Sequence, residues 1–298
     1  MGGFYVVSVI IPTYKRDTEL KRALLSIANQ TYKDIETIVI DDNAEADFNS
    51  RVEKRVEEVK KECPDFNLKL IVNSKNQGSA KTRNIGIEAA KGDYISFLDD
   101  DDIYLPEKIE KQLKNLIETN SDFSVTDLAL YSEDGKLIEI RDRRYIKQTD
   151  KNSLIKYHLM HHITGTDSLM FKTEYLRKIG GFDEIDIGDE YYLVFKAINE
   201  GGALSYLNTC DIKAFVHKSG GLSTSSQRIE GERELYRFKK QYFSFLKRKD
   251  RRYIKMRHHA VVALALFKNK KYVPFFKEAV LAILSSPVGC VSILKNRI

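Results

Sequence analysis

The chain has 298 residues, 42% of them hydrophobic and 31% charged, with no low-complexity segment; it can bury a sizeable core, and one large domain, or one domain plus an appendage, is expected. Cys63, Cys210 and Cys290 lie far apart without CxxC spacing, which excludes a disulfide framework or a cysteine-ligated zinc site and predicts a reducing, cytoplasmic setting. The net charge of +6 conceals an asymmetry: residues 232–298 hold 17 Lys and Arg against 4 Asp and Glu, a net +13, so the remaining residues stand at −7. A basic tail on an acidic body predicts a polyanionic partner for the tail alone, either a membrane surface or nucleic acid. No groove-reading or single-strand motif accompanies it, so nucleic acid is the weaker candidate. The first residues run almost directly into a strand pattern, and no signal peptide is expected.

Val6-Val7-Ser8-Val9-Ile10-Ile11 is a nearly continuous apolar run stopped by Pro12, the pattern of a strand buried on both faces. Residues 13–16 then form the loop at its carboxyl end. After Asp17 or Thr18 as N-cap, Leu20, Ala23, Leu24, Ile27 and Ala28 recur at helical spacing. Thr37-Ile38-Val39-Ile40 reads as a second strand running into Asp41-Asp42-Asn43; Val52, Val56 and Val59 line the next helix, and Leu68-Lys69-Leu70-Ile71-Val72 is a third strand. A loop over residues 73–78 opens a helix over 79–90, and the apolar run Tyr94-Ile95-Ser96-Phe97-Leu98 follows. Strands alternating with helices predict a parallel sheet built from right-handed crossover units.

That last strand ends in Asp99-Asp100-Asp101-Asp102. Like charges packed so densely repel one another and need a cation or well-aimed donors nearby. Carboxylate oxygens suit Mg2+ or Mn2+, which keep open positions for water or for phosphates. A solvated acidic loop is the ordinary reading of such a run, but its position favours a ligand, because open α/β sheets bind outside the carboxyl ends of their strands. Thr13 and Tyr14, Asp41 and Asp42, and residues 76–84 gather at the same edge, a rim able to grip a nucleotide. Taken singly, Asp41 and Asp42 also serve as caps for the next helix.

Val9-Ile10-Ile11-Pro12-Thr13-Tyr14, Gln30-Thr31-Tyr32, Ile40-Asp41-Asp42-Asn43, Asn76-Gln77-Gly78 with Ala80, Arg83, Asn84 and Gly86, and Gly92-Asp93-Tyr94-Ile95 leading into the acidic run occur in that order. As an ordered set they resemble the family 2 glycosyltransferases, and the similarity resumes at Gly180-Gly181-Phe182-Asp183-Glu184 to cover residues 5–222. The resemblance implies an α/β fold: a Rossmann-like mixed, mostly parallel sheet with helices on both faces, the GT-A nucleotide-diphospho-sugar transferase fold. Residues 1–230 would be the catalytic domain and residues 231–298 a basic, amphipathic helical extension. It further implies an inverting, Mn2+- or Mg2+-dependent transfer from a nucleotide sugar donor, a UDP-sugar, to a hydroxyl of a cell-surface glycan or lipid-linked acceptor. The rivals are transfer to a polyprenyl phosphate, whose anionic oxygen needs no base, and a nucleotide-sugar or nucleic-acid binding protein without turnover.

Residue by residue, the resemblance implies that Pro12, Thr13 and Tyr14 flank the base, while Asp42, with Asp41, accepts from the uracil ring N–H. Asn76 and Arg83 would lie near the nucleotide, Arg83 as a fixed fork of donors for the diphosphate or the base; Lys81 and Asn84 are lesser candidates. The DxD motif corresponds to Asp99-Asp100-Asp101, with Asp99 at the ribose or the metal, Asp100 in the variable middle position and Asp101 on the metal. Four successive acids also permit a one-residue slip onto Asp100 and Asp102. A base must take the proton from the acceptor hydroxyl, and Asp189 and Glu190 are the candidates: spacing to Leu193 and Lys196 favours Glu190, residue type favours Asp189. Both also suit the first turn of a helix through its dipole. His217, after the strand-like 214–216, would be a further metal contact, and Lys218-Ser219-Gly220-Gly221 a loop able to close over a diphosphate. His161, His162 and residues 164–167 fall where an acceptor pocket is assembled, with no role assigned.

In the tail, Leu235, Phe238, Tyr242, Phe245 and Leu246 fall at helical spacing among basic residues, and residues 279–294 are uncharged but broken by Pro287 and Gly289. No stretch there reaches the roughly 20 apolar residues a spanning helix needs. A helix lying in the interface of an anionic membrane, peripheral at the inner face of the cell membrane, is expected. The rivals are packing onto the catalytic domain and an oligomer contact.

Overall fold

A computed structural model describes residues 5–185, 188–217 and 225–295. The chain divides into two compact units, Met1–Leu154 with Ile163–Val216, and Ile155–His162 with His217–Ile298. In chain order the strands are β1 (Val7–Thr13), β2 (Ile35–Asp41), β3 (Leu68–Val72), β4 (Tyr94–Phe97), β5 (Ile103–Tyr104), β6 (Phe123–Thr126), β7 (Leu128–Ser132), β8 (Leu137–Arg141), β9 (Leu169–Lys172), β10 (Leu204–Leu207) and β11 (Ile212–Val216). The α-helices are α1 (Asp17–Ala28), α2 (Ala46–Glu62), α3 (Ser79–Ala89), α4 (Lys108–Thr119), α5 (Lys151–His161), α6 (Thr173–Lys178), α7 (Asp189–Asn199), α8 (Ser225–Gln241), α9 (Arg248–Lys268), α10 (Tyr272–Ser285) and α11 (Pro287–Lys295).

The first unit is built on a seven-stranded sheet of order β10-β6-β9-β4-β1-β2-β3. β1 pairs in parallel with both β2 and β4, β2 with β3 and β6 with β10, while β9 runs antiparallel between β4 and β6. The sheet is therefore mixed and mostly parallel, as expected. Val7, Val9, Ile10 and Ile11 are fully buried, which is why β1 reads as a continuous apolar run. The strand does not stop at Pro12 but continues to Thr13, paired with Asp41 of β2. The reason is local: β4 ends opposite Ile10, so beyond that point β1 has a neighbour on one side only, where a missing N–H is tolerated.

Helix α3 lies close against this centre because Gly86 permits it: a Cβ there would stand 2.5 Å from Ile10 Cγ2 and 2.9 Å from Ile40 Cδ1. A second sheet, of order β5-β11-β7-β8, completes the first unit. Beneath β4, Lys108 of α4 is 1% exposed and donates to Ser96 Oγ at 2.6 Å, its ammonium 3.8 Å from the Tyr104 ring centre. Burial holds its pKa well below the ordinary lysine range. The Tyr104 hydroxyl, beside Ser96 Oγ at 3.0 Å, lies against the carbonyls of Phe97 and Asp167, so one buried polar network fixes the ends of β4 and of the segment entering β9.

Within the second unit α9 packs against α8 and α10, and α11 follows α10. Two histidine–carboxylate hydrogen bonds tie these helices, His258 Nδ1 with Glu232 at 3.0 Å and His259 Nδ1 with Glu278 at 2.6 Å. Lys239 is 3% exposed and lies against His162, burial lowering its pKa to about 7. The helical spacing expected through Leu246 ends earlier, at Gln241, and Phe245 is exposed. The apolar stretch 279–294 is interrupted at Pro287, which opens α11, but Gly289 lies inside that helix. No described helix is long and apolar enough to cross a membrane.

Candidate active site

The register of β1 with β2 sets Thr13 level with Asp41, and β4 hands the chain to the acidic run one turn of loop away. Asp41 and Asp42 are buried and engaged with their own surroundings. Asp41 Oδ1 accepts from the Asn43 N–H and Nδ2 at 2.9 and 2.7 Å. Asp42 accepts from Asn73 Nδ2 and the Gln77 N–H, both at 2.8 Å, and from the Gly78 N–H at 3.0 Å. Asn76, itself exposed, donates its Nδ2 to the Asp42 carbonyl at 3.0 Å. Asp42, with the Asp41 carbonyl that accepts from the Asn73 N–H at 2.8 Å, thus moulds the loop before α3 into a wall, and Pro12 and Tyr14 are partly exposed. Burial raises the pKa of Asp41 despite its two donors.

The four acids after β4 are sorted by their neighbours. Asp100 accepts from the Tyr14 N–H at 3.2 Å and from Arg16 Nη1 at 3.1 Å. Burial, and then Asp101 beside it, raise Asp100 to about 7 against the pull of Arg16. The same Arg16 nitrogen stands 2.6 Å from Asp101 Oδ2. Asp102 Oδ1 accepts from the Phe215 N–H of β11 at 2.8 Å, and Asp167 Oδ1 accepts from the Asp99 N–H at 3.0 Å. Carboxylate oxygens of Asp99, Asp102 and Asp167 converge within 4.8 Å of one another. Burial, followed by their mutual proximity, keeps Asp102 well above the usual carboxylate range; burial, then Asp99, does the same for Asp167.

This trio fits a hard divalent ion. Hard divalent ions take carboxylate oxygens, and a cation here would offset both the burial and the mutual repulsion that raise the pKa values of Asp102 and Asp167. Asp99, expected at the ribose or the metal, belongs to the trio. Asp101, expected on the metal, instead faces Arg16, and Asp102 of the alternative frame takes part. His217, partly buried after β11, is counted with the second unit and is not in the converging group. Lys218-Ser219-Gly220-Gly221 lies outside the described residues. Asp167, placed by the sequence only within the 164–167 stretch and given no role, stands 65 or more residues from the acidic run and reaches it through the antiparallel pairing of β9 with β4.

Arg83 joins the halves of the site. It is 7% exposed, its Nη2 donating to Asp99 Oδ1 at 2.8 Å and its Nη1 to Asp189 Oδ2 at 3.0 Å. Both arms of the guanidinium are therefore held by carboxylates, and its Cζ lies 5.5 Å from the Phe182 ring centre. Asn84, one position along α3, accepts from the Phe182 N–H and donates to the Phe182 carbonyl, each at 2.8 Å. Gly181 is needed there: it has φ of +61°, and a Cβ would stand 2.5 Å from Asn84 Oδ1. The Gly180-Gly181-Phe182 motif is thus a clasp that seats Phe182 beneath Arg83, and Asn84 is its anchor.

Asp189 and Glu190 open α7 with different surroundings. Asp189, 6% exposed, takes Arg83 and Ser79 Oγ on Oδ2 and the Glu190 N–H at 2.9 Å on Oδ1. Glu190 is half-buried, and burial followed by Asp189 pushes its pKa up to about 8. Of the two, Asp189 is held by three donors, and Glu190 is the carboxyl of raised pKa. His161 and His162 are counted with the second unit.

A family model described as glycosyl transferase family 2 matches residues 8–179. The Escherichia coli protein named UDP-Glc:alpha-D-GlcNAc-diphosphoundecaprenol beta-1,3-glucosyltransferase WfgD is 32% identical over 119 residues, 40% of this chain and 44% of that one. The chain spans between 18% and 65% of the length of six further curated relatives, all uncharacterised glycosyltransferases. Among solved structures, Staphylococcus aureus TarS 1-349 in complex with UDP-GlcNAc has a TM-score of 0.60 at 19% identity, over 95% of this chain and 92% of that one. The mannosyltransferase PcManGT of Pyrobaculum calidifontis, in complex with GDP-Man and Mn2+, has a TM-score of 0.57 at 17% identity, over 98% and 87%. The fold is that of these GT-A enzymes.

Proposed function

This chain belongs to glycosyl transferase family 2, and from that premise we propose that it moves a sugar, with inversion at the anomeric carbon, from a UDP-sugar to a hydroxyl of a lipid-linked glycan precursor. The observation that carries this reading is the Arg83 bridge, 2.8 Å to Asp99 and 3.0 Å to Asp189, which sets the acidic cluster and the acids of α7 on either side of one guanidinium. A displacement needs a leaving-group side and a base side held in fixed relation, and this bridge supplies it.

The donor nucleoside lies along Pro12, Thr13 and Tyr14, against the wall moulded by Asp41, Asp42 and Asn76. Asp99, Asp102 and Asp167 would hold a divalent cation, which when bound would stabilise the charge developing on the departing nucleoside diphosphate. Glu190 takes the proton from the acceptor hydroxyl: its raised pKa makes it a stronger base than an exposed carboxylate. Asp189, clamped by Arg83, Ser79 and the Glu190 N–H, orients that residue and is not the base. The UDP donor and the lipid-linked acceptor are supported by what the names of TarS in complex with UDP-GlcNAc and of WfgD state for those proteins, and the cation by Mn2+ in PcManGT.

The test is release of UDP from a panel of UDP-sugars, with Mn2+, Mg2+ or a chelator, and with short-chain diphospholipid-linked sugars as acceptors. Acceptor-stimulated, chelator-sensitive release of UDP is expected. A protein that binds no nucleotide under any of these conditions would remove the enzyme reading.

A further inference from the structure

Helix α10 is packed the wrong way round for a helix facing water. Its partly or fully buried positions include Phe275, Glu278, Ala279, Ala282 and Ser285, with Glu278 paired to His259 at 2.6 Å. Its outward positions are Val273 at 85% exposure, Phe276 at 65%, Val280 at 53%, Ile283 at 54% and Leu284 at 68%. At 3.6 residues per turn these five fall within an arc of about 100°. Val288 and Val291 of α11, 82% and 52% exposed, add to the apolar surface. A contiguous exposed surface of this kind marks an interaction site.

Its surroundings are cationic. From residue 242 onward the chain holds 13 Lys and Arg against two acids, Asp250 and Glu278. Asp250 is 3% exposed with Lys156 at 3.6 Å, and Glu278 is taken by His259. Lys268, Lys270, Lys271 and Lys277, next to or on α10, are all exposed. We propose that the outer face of α10, with Val288 and Val291, docks on the surface of an anionic phospholipid bilayer, lying in its interface.

A bilayer satisfies both halves of the surface, taking up the apolar side chains while its phosphates meet the lysines, and Lys277 can reach the headgroups from the apolar face. A second copy of this chain would satisfy only the apolar half, because a self-complementary contact brings the same lysines together. The helix lies in the interface and does not span, since no described helix is long and apolar enough to cross. The surface goes beyond the transfer reaction, and its test reads binding alone, so its failure leaves the proposed reaction standing.

The chain contains no tryptophan, so Phe276→Trp in the full-length protein gives a single reporter at an exposed position. With vesicles of phosphatidylglycerol and phosphatidylethanolamine its emission should shift to the blue and be quenched by brominated acyl chains. Flotation of the unmodified protein should weaken with salt, and should fall at least about tenfold in a Phe276→Ser, Val280→Ser, Leu284→Ser variant whose helicity by circular dichroism is unchanged. Unmoved tryptophan emission, failure of the unmodified protein to float with anionic vesicles, or equal flotation of the triple variant overturns the proposal. So does a triple variant that turns a dimer into a monomer while floating as before, which would make the face a contact between copies.

Discussion

Asp42 is 4% exposed and Phe276 is 65% exposed, each the reverse of what its side chain prefers, and the two units of the chain handle that inversion in opposite ways. Around Asp42 the compensation is internal. Three donors meet its oxygens, and two carboxylates hold the arms of Arg83. Around Phe276 the outer face of α10 is uncovered among the described residues of the second unit, and the helix gives its covered side to Phe275, the Glu278–His259 hydrogen bond and small residues. A chain that places groups against their solvation preference reveals a demand that folding alone does not impose. In the first unit that demand is a prearranged set of charges, and in the second it is a surface awaiting a partner.

The largest effect should come from breaking the internal compensation at its most charged point. Asp99→Asn, Asp102→Asn or Asp167→Asn should each lower transfer by about 10³-fold or more if these three hold the cation, with a loss of Mn2+ affinity that calorimetry reads directly. Asp101→Asn, whose partner is Arg16 at 2.6 Å, should cost less. A larger loss at Asp101 than at Asp102 would return the metal to the frame that the sequence motif first suggested.

Next comes the base. Glu190→Gln should lower kcat by about 10² to 10⁴-fold, whereas Asp189→Asn should leave more activity and change its pH dependence. Burial and then Asp189 raise Glu190 to about 8, so a base at that position loses its proton, and activity climbs, as pH rises toward that value. Removing the Asp189 charge takes away one of the two causes, so the rising limb of kcat/KM should move to lower pH. An unchanged limb would mean that the rate does not report Glu190. Full activity of Glu190→Gln would shift the acceptor to an anionic phosphate, which needs no base.

How much of this could be read from the chain alone follows the same division. The strands β1, β2 and β4 were legible because burial on both faces writes nearly continuous apolar runs, and the rim because acids gather where those runs end, at the edge where open α/β sheets bind ligands. Asp167 was noticed only as part of the 164–167 stretch and its place beside Asp99 and Asp102 was not, because that place depends on β9 running antiparallel between β4 and β6, a long-range pairing with no local pattern. Asn84 and Arg83 share one helix and were weighed as ligand contacts; what they touch is the Phe182 clasp and two carboxylates, partners about 100 residues on or across the loop. In the second unit the apolar spacing suggested Phe245 inside and lysines outside, yet Lys239 is buried and Phe245 is 46% exposed. Periodicity assumes that one face meets water, and that assumption fails where a helix has a further surface to serve.

The smallest effect, and the one that separates fold from function most cleanly, concerns Lys108. This ammonium is buried beneath β4 with Ser96 Oγ as its hydrogen-bond acceptor, and its pKa is held well below 10.5 by burial. The unfolded chain binds a proton there that the folded chain gives up, so over the range between the depressed value and 10.5 stability rises with pH. Lys108→Met keeps the volume and removes that cost, so it should gain about 1–2 kcal/mol at pH 7 in urea unfolding, less the bond to Ser96. The advantage should narrow as pH approaches 10.5, where the unfolded lysine is itself losing its proton. If Lys108→Met is instead less stable at pH 7 and the deficit shrinks at high pH, the ammonium is charged in place and Asp167, the largest favourable influence on it, is its counter-charge across the Ser96 and Tyr104 network. The internal compensation around the acids would then reach one layer deeper than the residues that line the site.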